Sequence, residues 1–93
     1  MTPLEKDIER ALRSKAEQRN GLCLKWVCPG WAGVPDRILL LSGGRVIFAE
    51  TKRPKGGRLS PLQVWWHKTL RGLGFTVLVV WSYKDIEMLE GMF

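Results

Sequence analysis

Two aliphatic runs separated by a glycine turn constrain the fold of this chain more than any other sequence feature. The runs extend from Asp36 to Leu41 and from Val46 to Lys52, and the turn between them is Ser42-Gly43-Gly44-Arg45. Short apolar runs on either side of a glycine pair are typical of a β-hairpin. The sequence therefore predicts a central antiparallel pair of strands.

The segment before this hairpin predicts a helix, a strand and a long loop. Thr2-Pro3-Leu4-Glu5 has the order of a capping box, with Thr2 as N-cap and Glu5 at the third helical position. Apolar residues then recur at helical spacing, and the helix is expected to end near Asn20-Gly21. A short strand follows from Leu22 to Val27, and then a loop rich in helix and strand breakers from Cys28 to Pro35.

The segment after the hairpin predicts a loop, a second helix, a strand and a closing helix. Residues 53–58 form a loop, and Ser60-Pro61-Leu62-Gln63 is a second capping box, which opens a helix to about Arg71. Phe75 to Trp81 reads as a strand buried on both faces, and Ser82 caps a short helix through Leu89. The predicted fold is one α/β (α+β) domain over residues 1–93, with the order αβββαβα and a small sheet flanked by helices.

The charge of the chain favours a polyanionic partner. Fifteen Lys and Arg residues against nine Asp and Glu residues give a formal charge of +6 and a pI of about 9.8. The alternative is a basic surface that serves only solubility. Cys23, Cys28 and His67 are the only cysteines and histidine, too few for a Cys/His zinc site within one chain. Any metal ion is therefore expected to have oxygen ligands.

The amino-terminal segment and the apolar runs favour a cytoplasmic setting. Glu5, Asp7 and Glu9 stand where a signal peptide needs an apolar run, so secretion is not expected. The longest apolar run has the length of a strand and is too short to cross a membrane. We expect a reducing, cytoplasmic environment, no membrane association and no organic cofactor.

Hairpin geometry predicts a cluster of two acids and one lysine. Glu50 and Lys52 project from the same face of the second strand, and Asp36 opens the partner strand beside them. Two carboxylates can hold a hard divalent cation that activates a water molecule against a phosphodiester, and a lysine can orient that water. The alternative is an ordinary cross-strand ion pair at the end of a sheet.

The wider motif resembles a known nuclease family. Gly33-Val34-Pro35-Asp36 is followed after thirteen residues by Glu50-Thr51-Lys52, and Gln63 lies on the next helix. This pattern resembles the PD-(D/E)XK nuclease superfamily, and within it the virus-type replication-repair nuclease (VRR-NUC) domain. The resemblance implies a restriction-endonuclease-like core with a mixed sheet. It also implies a DNA endonuclease that depends on Mg²⁺ or Mn²⁺ and acts as a homodimer on branched DNA such as four-way junctions.

The resemblance assigns roles to individual residues. It implies that the metal ligands are Glu5, Asp36, Glu50 and the backbone carbonyl of Thr51, and that Lys52 and Gln63 complete the catalytic set with Asp36 and Glu50. Glu5 and Gln63 each stand at a capping-box position, so capping is the alternative for both. Glu9 is the alternative acid on the first helix. His67 is expected to be a surface residue outside the site.

DNA contacts are expected from basic residues near the hairpin and from one tryptophan, namely Arg37, Arg53, Lys55, Arg58 and Trp31. Solvation of a basic loop and anchoring of the loop by Trp31 are the alternatives. Trp65 and Trp66 cannot both face the sheet, so one of them is a candidate for a contact with a second copy. The other functions considered are a non-catalytic DNA-binding module and a basic protein-interaction domain.

Overall fold

A computed structural model describes residues 2–93 of the chain. Its elements follow the predicted order, with short 3₁₀ turns after the second strand and at the carboxyl end. The helices and strands are α1 (Glu5–Gln18), β1 (Leu22–Lys25), β2 (Arg37–Leu41), β3 (Arg45–Thr51), α2 (Pro61–Gly72), β4 (Thr76–Val80) and α3 (Tyr83–Leu89).

The four strands form one mixed sheet in the order β1-β2-β3-β4. The first three strands are antiparallel, and β4 pairs parallel to β3. The predicted hairpin is confirmed, with Leu41 paired to Arg45 across the turn. Gly43 and Gly44 have φ values of 80° and 75°, a conformation that glycine adopts without steric cost.

The helices cover both faces of the sheet and divide the core in two. Ile8, Leu12 and Ala16 of α1 are fully buried on one face, together with residues of α3. On the other face, Leu70 of α2 packs with Phe48 and Val77. Both clusters include residues of β4, so this strand is covered on both faces as predicted.

The alternation of β3 between the two faces determines where its polar end points. Ile47 and Ala49 pack towards α1, whereas Phe48 packs towards α2. Successive strand residues point to opposite faces, so Glu50 lies on the α2 side and Thr51 on the α1 side.

The first helix begins later than the sequence predicted. Leu4 is its N-cap, and the Leu4 amide donates a hydrogen bond to the Asp7 carboxylate at 3.0 Å. The assignment of Thr2 as N-cap was therefore wrong, because Asp7 and not Glu5 supplies the reciprocal capping contact. This correction leaves the Glu5 carboxylate without a capping role.

The caps of the other two helices are confirmed. The Gln63 amide donates to the Ser60 hydroxyl at 3.1 Å, and the Asp85 amide donates to the Ser82 hydroxyl at 3.2 Å.

Within residues 2–93, no helix has both the length and the apolar character needed to cross a membrane.

Candidate active site

Asp36, Glu50 and Thr51 meet at the end of the hairpin. The register pairs Arg37 with Ala49, so Asp36 lies beside the last residues of β3. The Thr51 amide lies 3.2 Å from Asp36 Oδ1, and the Thr51 hydroxyl lies 2.9 Å from Asp36 Oδ2. Both groups donate to the carboxylate, and Thr51 is fully buried. Thr51 therefore fixes the orientation of the Asp36 carboxylate.

The backbone of β3 directs the Thr51 carbonyl towards the same side as Asp36. The Lys52 amide donates to the Val80 carbonyl of β4 at 2.9 Å, whereas the Thr51 amide faces Asp36. The N–H and C=O of one strand residue point towards the same neighbour. The carbonyl that the family resemblance implies as a ligand thus lies on the Asp36 side of the strand.

Glu50 occupies a position that disfavours its charge. Its side chain is buried, with 2% of the residue exposed. Burial and, next in size, the nearby Asp36 carboxylate raise the pKa of Glu50 to about 8, and Lys52 opposes the increase. The pKa of Asp36 is also raised by burial, against the hydrogen bonds from Thr51. A divalent cation at this place would stabilise both carboxylates.

His67 lies against Glu50, which corrects the expectation of a surface histidine. The residue is 2% exposed, and its Nε2 lies 3.4 Å from Glu50 Oε1. Burial lowers the pKa of His67, and Arg71 and Lys52 lower it further. The sequence feature that indicates this burial is the position of His67, one turn after Gln63 and three residues before Leu70. That spacing places it on the face of α2 that packs on the sheet.

The two acids of α1 have different surroundings. Glu9 Oε2 accepts a hydrogen bond from the Arg37 guanidinium at 2.9 Å, and Glu9 Oε1 lies 3.2 Å from the Thr51 hydroxyl. Glu5 is exposed, and its pKa is raised by partial burial and then by Asp36. Glu9 is thus paired with Arg37 and lies beside the Thr51 hydroxyl, whereas Glu5 remains available beside Asp36 as the candidate ligand.

Arg37 points into an ion pair and not into open solvent. Its guanidinium contacts Glu9, and its Nε atom is buried with no hydrogen-bond partner among residues 2–93. Direct contact of Arg37 with DNA stays a prediction, and this geometry gives Arg37 a second role as a support for Glu9.

The side chain of Gln63 caps α2. Its Oε1 accepts a hydrogen bond from the Ser60 amide at 2.8 Å. Both alternatives for Gln63 therefore retain support: the carbonyl oxygen is used by the cap, while its place one turn before His67 directs the residue towards the site.

Lys52 opens into a basic cavity of about 540 Å³ between the start of α1 and the loop after β3. Glu5 lines this cavity, and four basic residues line it as well: Lys6, Lys52, Arg53 and Arg58. Lys55 is exposed on the same loop. Of the predicted DNA-contacting residues of this loop, Arg53 and Arg58 thus line the cavity together with Lys52 and Glu5. Trp31 is exposed on the loop before Asp36.

The donor atoms present fit a hard divalent cation. Mg²⁺ and Mn²⁺ prefer oxygen ligands and retain several water molecules. Asp36 and Glu50 provide two adjacent carboxylates, Thr51 provides a carbonyl on the same side, and Glu5 lies nearby. In the part of the chain that the structure describes, no three His, Cys, Asp or Glu side chains converge as a metal site. Binding would therefore rely on the carboxylate pair, the carbonyl and water.

Comparison with known proteins identifies the family of the chain. No protein-family model matches the sequence. A protein described as "Putative nuclease p44" from Acyrthosiphon pisum secondary endosymbiont phage 1 is 41% identical over 76 residues, which cover 82% of this chain and 81% of that protein. A solved structure described as "VRR_NUC domain" superposes with a TM-score of 0.89 at 28% identity and covers 96% of each chain. On its sequence, its four-stranded mixed sheet and these likenesses, the chain belongs to the VRR-NUC nuclease family.

Proposed function

We propose that this nuclease is a Mg²⁺- or Mn²⁺-dependent endodeoxyribonuclease that hydrolyses phosphodiester bonds of branched DNA. The observation that carries the proposal is the meeting of Asp36, Glu50 and Lys52 at the open end of the hairpin. A pair of carboxylates beside a lysine has no evident structural purpose here, since burial and then the neighbouring Asp36 raise the pKa of Glu50 to about 8.

The metal ion would be held by the oxygen atoms at the ends of β2 and β3. Asp36, Glu50 and the Thr51 carbonyl are the proposed ligands, with Glu5 approaching from α1. When bound, such an ion polarises the phosphate and lowers the pKa of a water molecule. Thr51 contributes by holding the Asp36 carboxylate in one orientation through its amide and its hydroxyl.

Lys52 is the proposed residue for charge stabilisation during the reaction. Its side chain lines the basic cavity and lies close enough to Glu50 to lower the pKa of that carboxyl. A lysine ammonium there can donate to a non-bridging phosphate oxygen and stabilise the negative charge that develops in the transition state. We assign Gln63 to orienting the attacking water through its amide group, the part of its side chain that the cap does not use.

The loop after β3 is the proposed binding site for the DNA backbone. Arg53, Lys55 and Arg58 place three positive charges on this loop, and Arg53 and Arg58 line the cavity together with Lys52 and Glu5. Basic side chains of this kind fix the register of a nucleic acid through its phosphates without reading the sequence. Binding should therefore weaken steeply as the salt concentration increases.

Dimerisation is part of the proposal. Leu22, Leu24 and Leu40 are exposed on the side of the sheet that α2 covers only over β3 and β4. A second copy of this small chain is the occupant that would bury these leucines and add a second active site for a branched substrate. Sizing chromatography should show a dimer for the wild-type protein and a monomer for Leu24→Lys. A wild-type protein that elutes as a monomer would refute the proposed dimer.

A panel of paired duplex, flap and four-way junction DNA, each with Mg²⁺, with Mn²⁺ and with EDTA, tests the proposed function. The expected result is cleavage only with the metal ions, fastest on a branched substrate. Binding of all substrates without cleavage under any condition would refute the proposal and favour a non-catalytic DNA-binding module. Binding that ignores both competitor DNA and salt would instead favour a protein-interaction domain.

A further inference from the structure

Three tryptophans form one cluster beside the candidate active site. We call Trp31, Trp65 and Trp66 the tryptophan cluster. The Trp31 and Trp66 rings lie 5.9 Å apart at 85°, and the Trp65 and Trp66 rings lie 5.1 Å apart at 87°. Trp66 is thus the central ring, with one edge-to-face partner from the loop before Asp36 and one from α2.

The outer rings of the cluster are exposed while the central ring is fixed. Trp31 is 62% exposed and Trp65 is 52% exposed. Trp66 packs against the core beneath α2, and its indole N–H donates to the Ala32 carbonyl at 2.9 Å. Two large aromatic side chains are therefore presented to solvent on a rigid support, an arrangement typical of a binding surface.

Both supports of the tryptophan cluster lead directly to the site. Trp66 precedes His67, whose ring lies 3.4 Å from Glu50. Ala32 lies four residues before Asp36, and the loop between them packs on Leu62 of α2 so closely that a Cβ at Gly33 would lie 2.6 Å from Leu62 Cγ. The position of the cluster relative to the carboxylates is consequently fixed.

The charge around the cluster indicates which ligand it binds. Lys68 is exposed one turn after Trp65 on α2, and the chain has a formal charge of +6. Indole rings stack on bases of any identity, and nearby lysines bind the backbone between those bases. A second copy of the chain is a less suitable ligand for the cluster, because it would bring further positive charge towards Lys68. The exposed leucines of β1 and β2 offer such a copy a different surface.

From these contacts we infer that Trp31 and Trp65 stack on unpaired bases of the nucleic acid near the bond that is cut. This inference rests on the proposed function and defines its substrate class more narrowly. It predicts a preference for DNA in which bases are unpaired next to the cleaved bond, because bases within a paired duplex do not offer their faces to a side chain.

Equilibrium binding in EDTA, where no cleavage is expected, tests the inference. Two probes have the same short duplex and a single-stranded tail of the same length. The tail has bases in one probe and is abasic in the other. The wild-type protein should bind the base-bearing tail about tenfold or more tightly than the abasic tail. Trp31→Ala and Trp65→Ala should each lower this ratio towards one.

Matched variants separate stacking from a loss of folding. Trp31→Phe and Trp65→Phe retain an aromatic face and should preserve most of the preference. Leu73→Ala removes another exposed apolar side chain, 70% exposed at the end of α2, and should preserve all of it. Circular dichroism of each variant should match that of the wild-type protein.

Two outcomes would overturn the inference: no wild-type preference for the base-bearing tail, or an unchanged ratio in both alanine variants. An unchanged ratio together with conversion of a dimer to a monomer by these variants would assign the cluster to self-association. A protein that cleaves the DNA panel without this preference refutes the inference alone. A protein that shows the preference but cleaves nothing refutes the nuclease proposal alone.

Discussion

At the residue scale, Glu50 connects the fold to the proposed chemistry. Its burial and its proximity to Asp36 both oppose ionisation, so the metal-free protein retains a proton on Glu50 that the unfolded chain loses. The raised pKa therefore lowers the free energy of unfolding at any pH where the unfolded chain has already lost this proton. A bound cation would remove this cost.

The stability of the metal-free protein should fall as the pH rises from 6.5 to 8. In this interval the unfolded chain has already lost the Glu50 proton, whereas the folded protein, with a pKa of about 8, still holds it. Because the folded state binds more protons, the free energy of unfolding falls as the pH rises. The decrease over the whole interval is about 1 to 2 kcal/mol. Thermal unfolding in EDTA at both pH values measures the effect.

The interval from pH 6.5 to 8 is chosen because two other groups with shifted pKa values titrate mainly outside it. His67 has a lowered pKa, so its contribution increases stability as the pH rises through the unfolded value of 6.5 and levels off about one pH unit above it. The pKa of the Cys23 thiol is raised from its ordinary value of 9.0 to about 11, so this group affects stability above about pH 8, outside the interval. Glu50→Gln or saturating Mg²⁺ should flatten the decline. A metal-free Tm that is constant or rises between pH 6.5 and 8 would contradict the account.

Replacement of His67 should weaken metal binding. His67→Ala removes the ring that packs against Glu50 and leaves this carboxylate free to turn. Groups that orient a metal ligand typically contribute about 10- to 100-fold in affinity. The Mn²⁺ concentration that gives half of the maximal thermal stabilisation should therefore increase by about tenfold, whereas Lys68→Ala on the exposed face of α2 should leave it unchanged. Equal Mn²⁺ affinity of His67→Ala and the wild-type protein would exclude this role.

Sequence reasoning reached the acids of the site but not their supports. Asp36 and Glu50 follow from hairpin geometry, because pairing brings the start of one strand beside the end of the other. The burial of His67 and the ion pair of Arg37 with Glu9 depend on how helices dock on the sheet, which residue spacing does not specify. These contacts required the structure.

At the element scale, the helix starts show where local signals suffice. The cap of α2 was predicted correctly because Ser60, Pro61 and Gln63 agree on one start. At α1 two acids compete, and Asp7 makes the capping contact from a start at Leu4. The choice between these starts depends on the packing of Ile8, Leu12 and Ala16, which are all fully buried.

The loop between β3 and α2 should not tolerate a side chain at residue 57. A Cβ on Gly57 would lie 2.5 Å from the Arg53 carbonyl oxygen and 3.2 Å from Lys52 Cβ. Gly57→Ala should therefore displace the segment that carries Lys52 and Arg53, lower stability by about 1 to 3 kcal/mol and reduce kcat/KM by about tenfold or more. Urea unfolding and the rate of DNA cleavage measure the two effects.

Gly72→Ala is the matched control for the loop variant. Gly72 occupies the last turn of α2, and apart from its chain neighbours and the helix backbone no atom of residues 2–93 lies within 4 Å of the position of a Cβ there. Alanine there should leave cleavage unchanged and increase stability by up to about 1 kcal/mol, because glycine weakens helices. Comparable losses of activity in both variants would show that the close contact at Gly57 is not the cause.

At the scale of the whole molecule, the order of elements was predictable and the surfaces were not. Hydrophobic periodicity and turn residues gave the order αβββαβα, and the family resemblance implied the mixed sheet. They did not show that α2 leaves Leu22 and Leu24 exposed or that Trp31 and Trp65 lie on either side of Trp66. Such surfaces arise from packing between distant segments, so periodicity within one segment does not report them.

The central claim is that the carboxylate pair and Lys52 form a metal-dependent nuclease site. The most direct test is the rate of branched-DNA cleavage by wild-type protein and Lys52→Ala, with Mg²⁺ and with EDTA, using Lys84→Ala on α3 as the exposed control. Wild type and Lys84→Ala should cleave only with Mg²⁺, and Lys52→Ala should be slower by about 100-fold or more while remaining folded. Cleavage by Lys52→Ala at the wild-type rate, or no Mg²⁺-stimulated cleavage by the wild-type protein, would contradict this assignment.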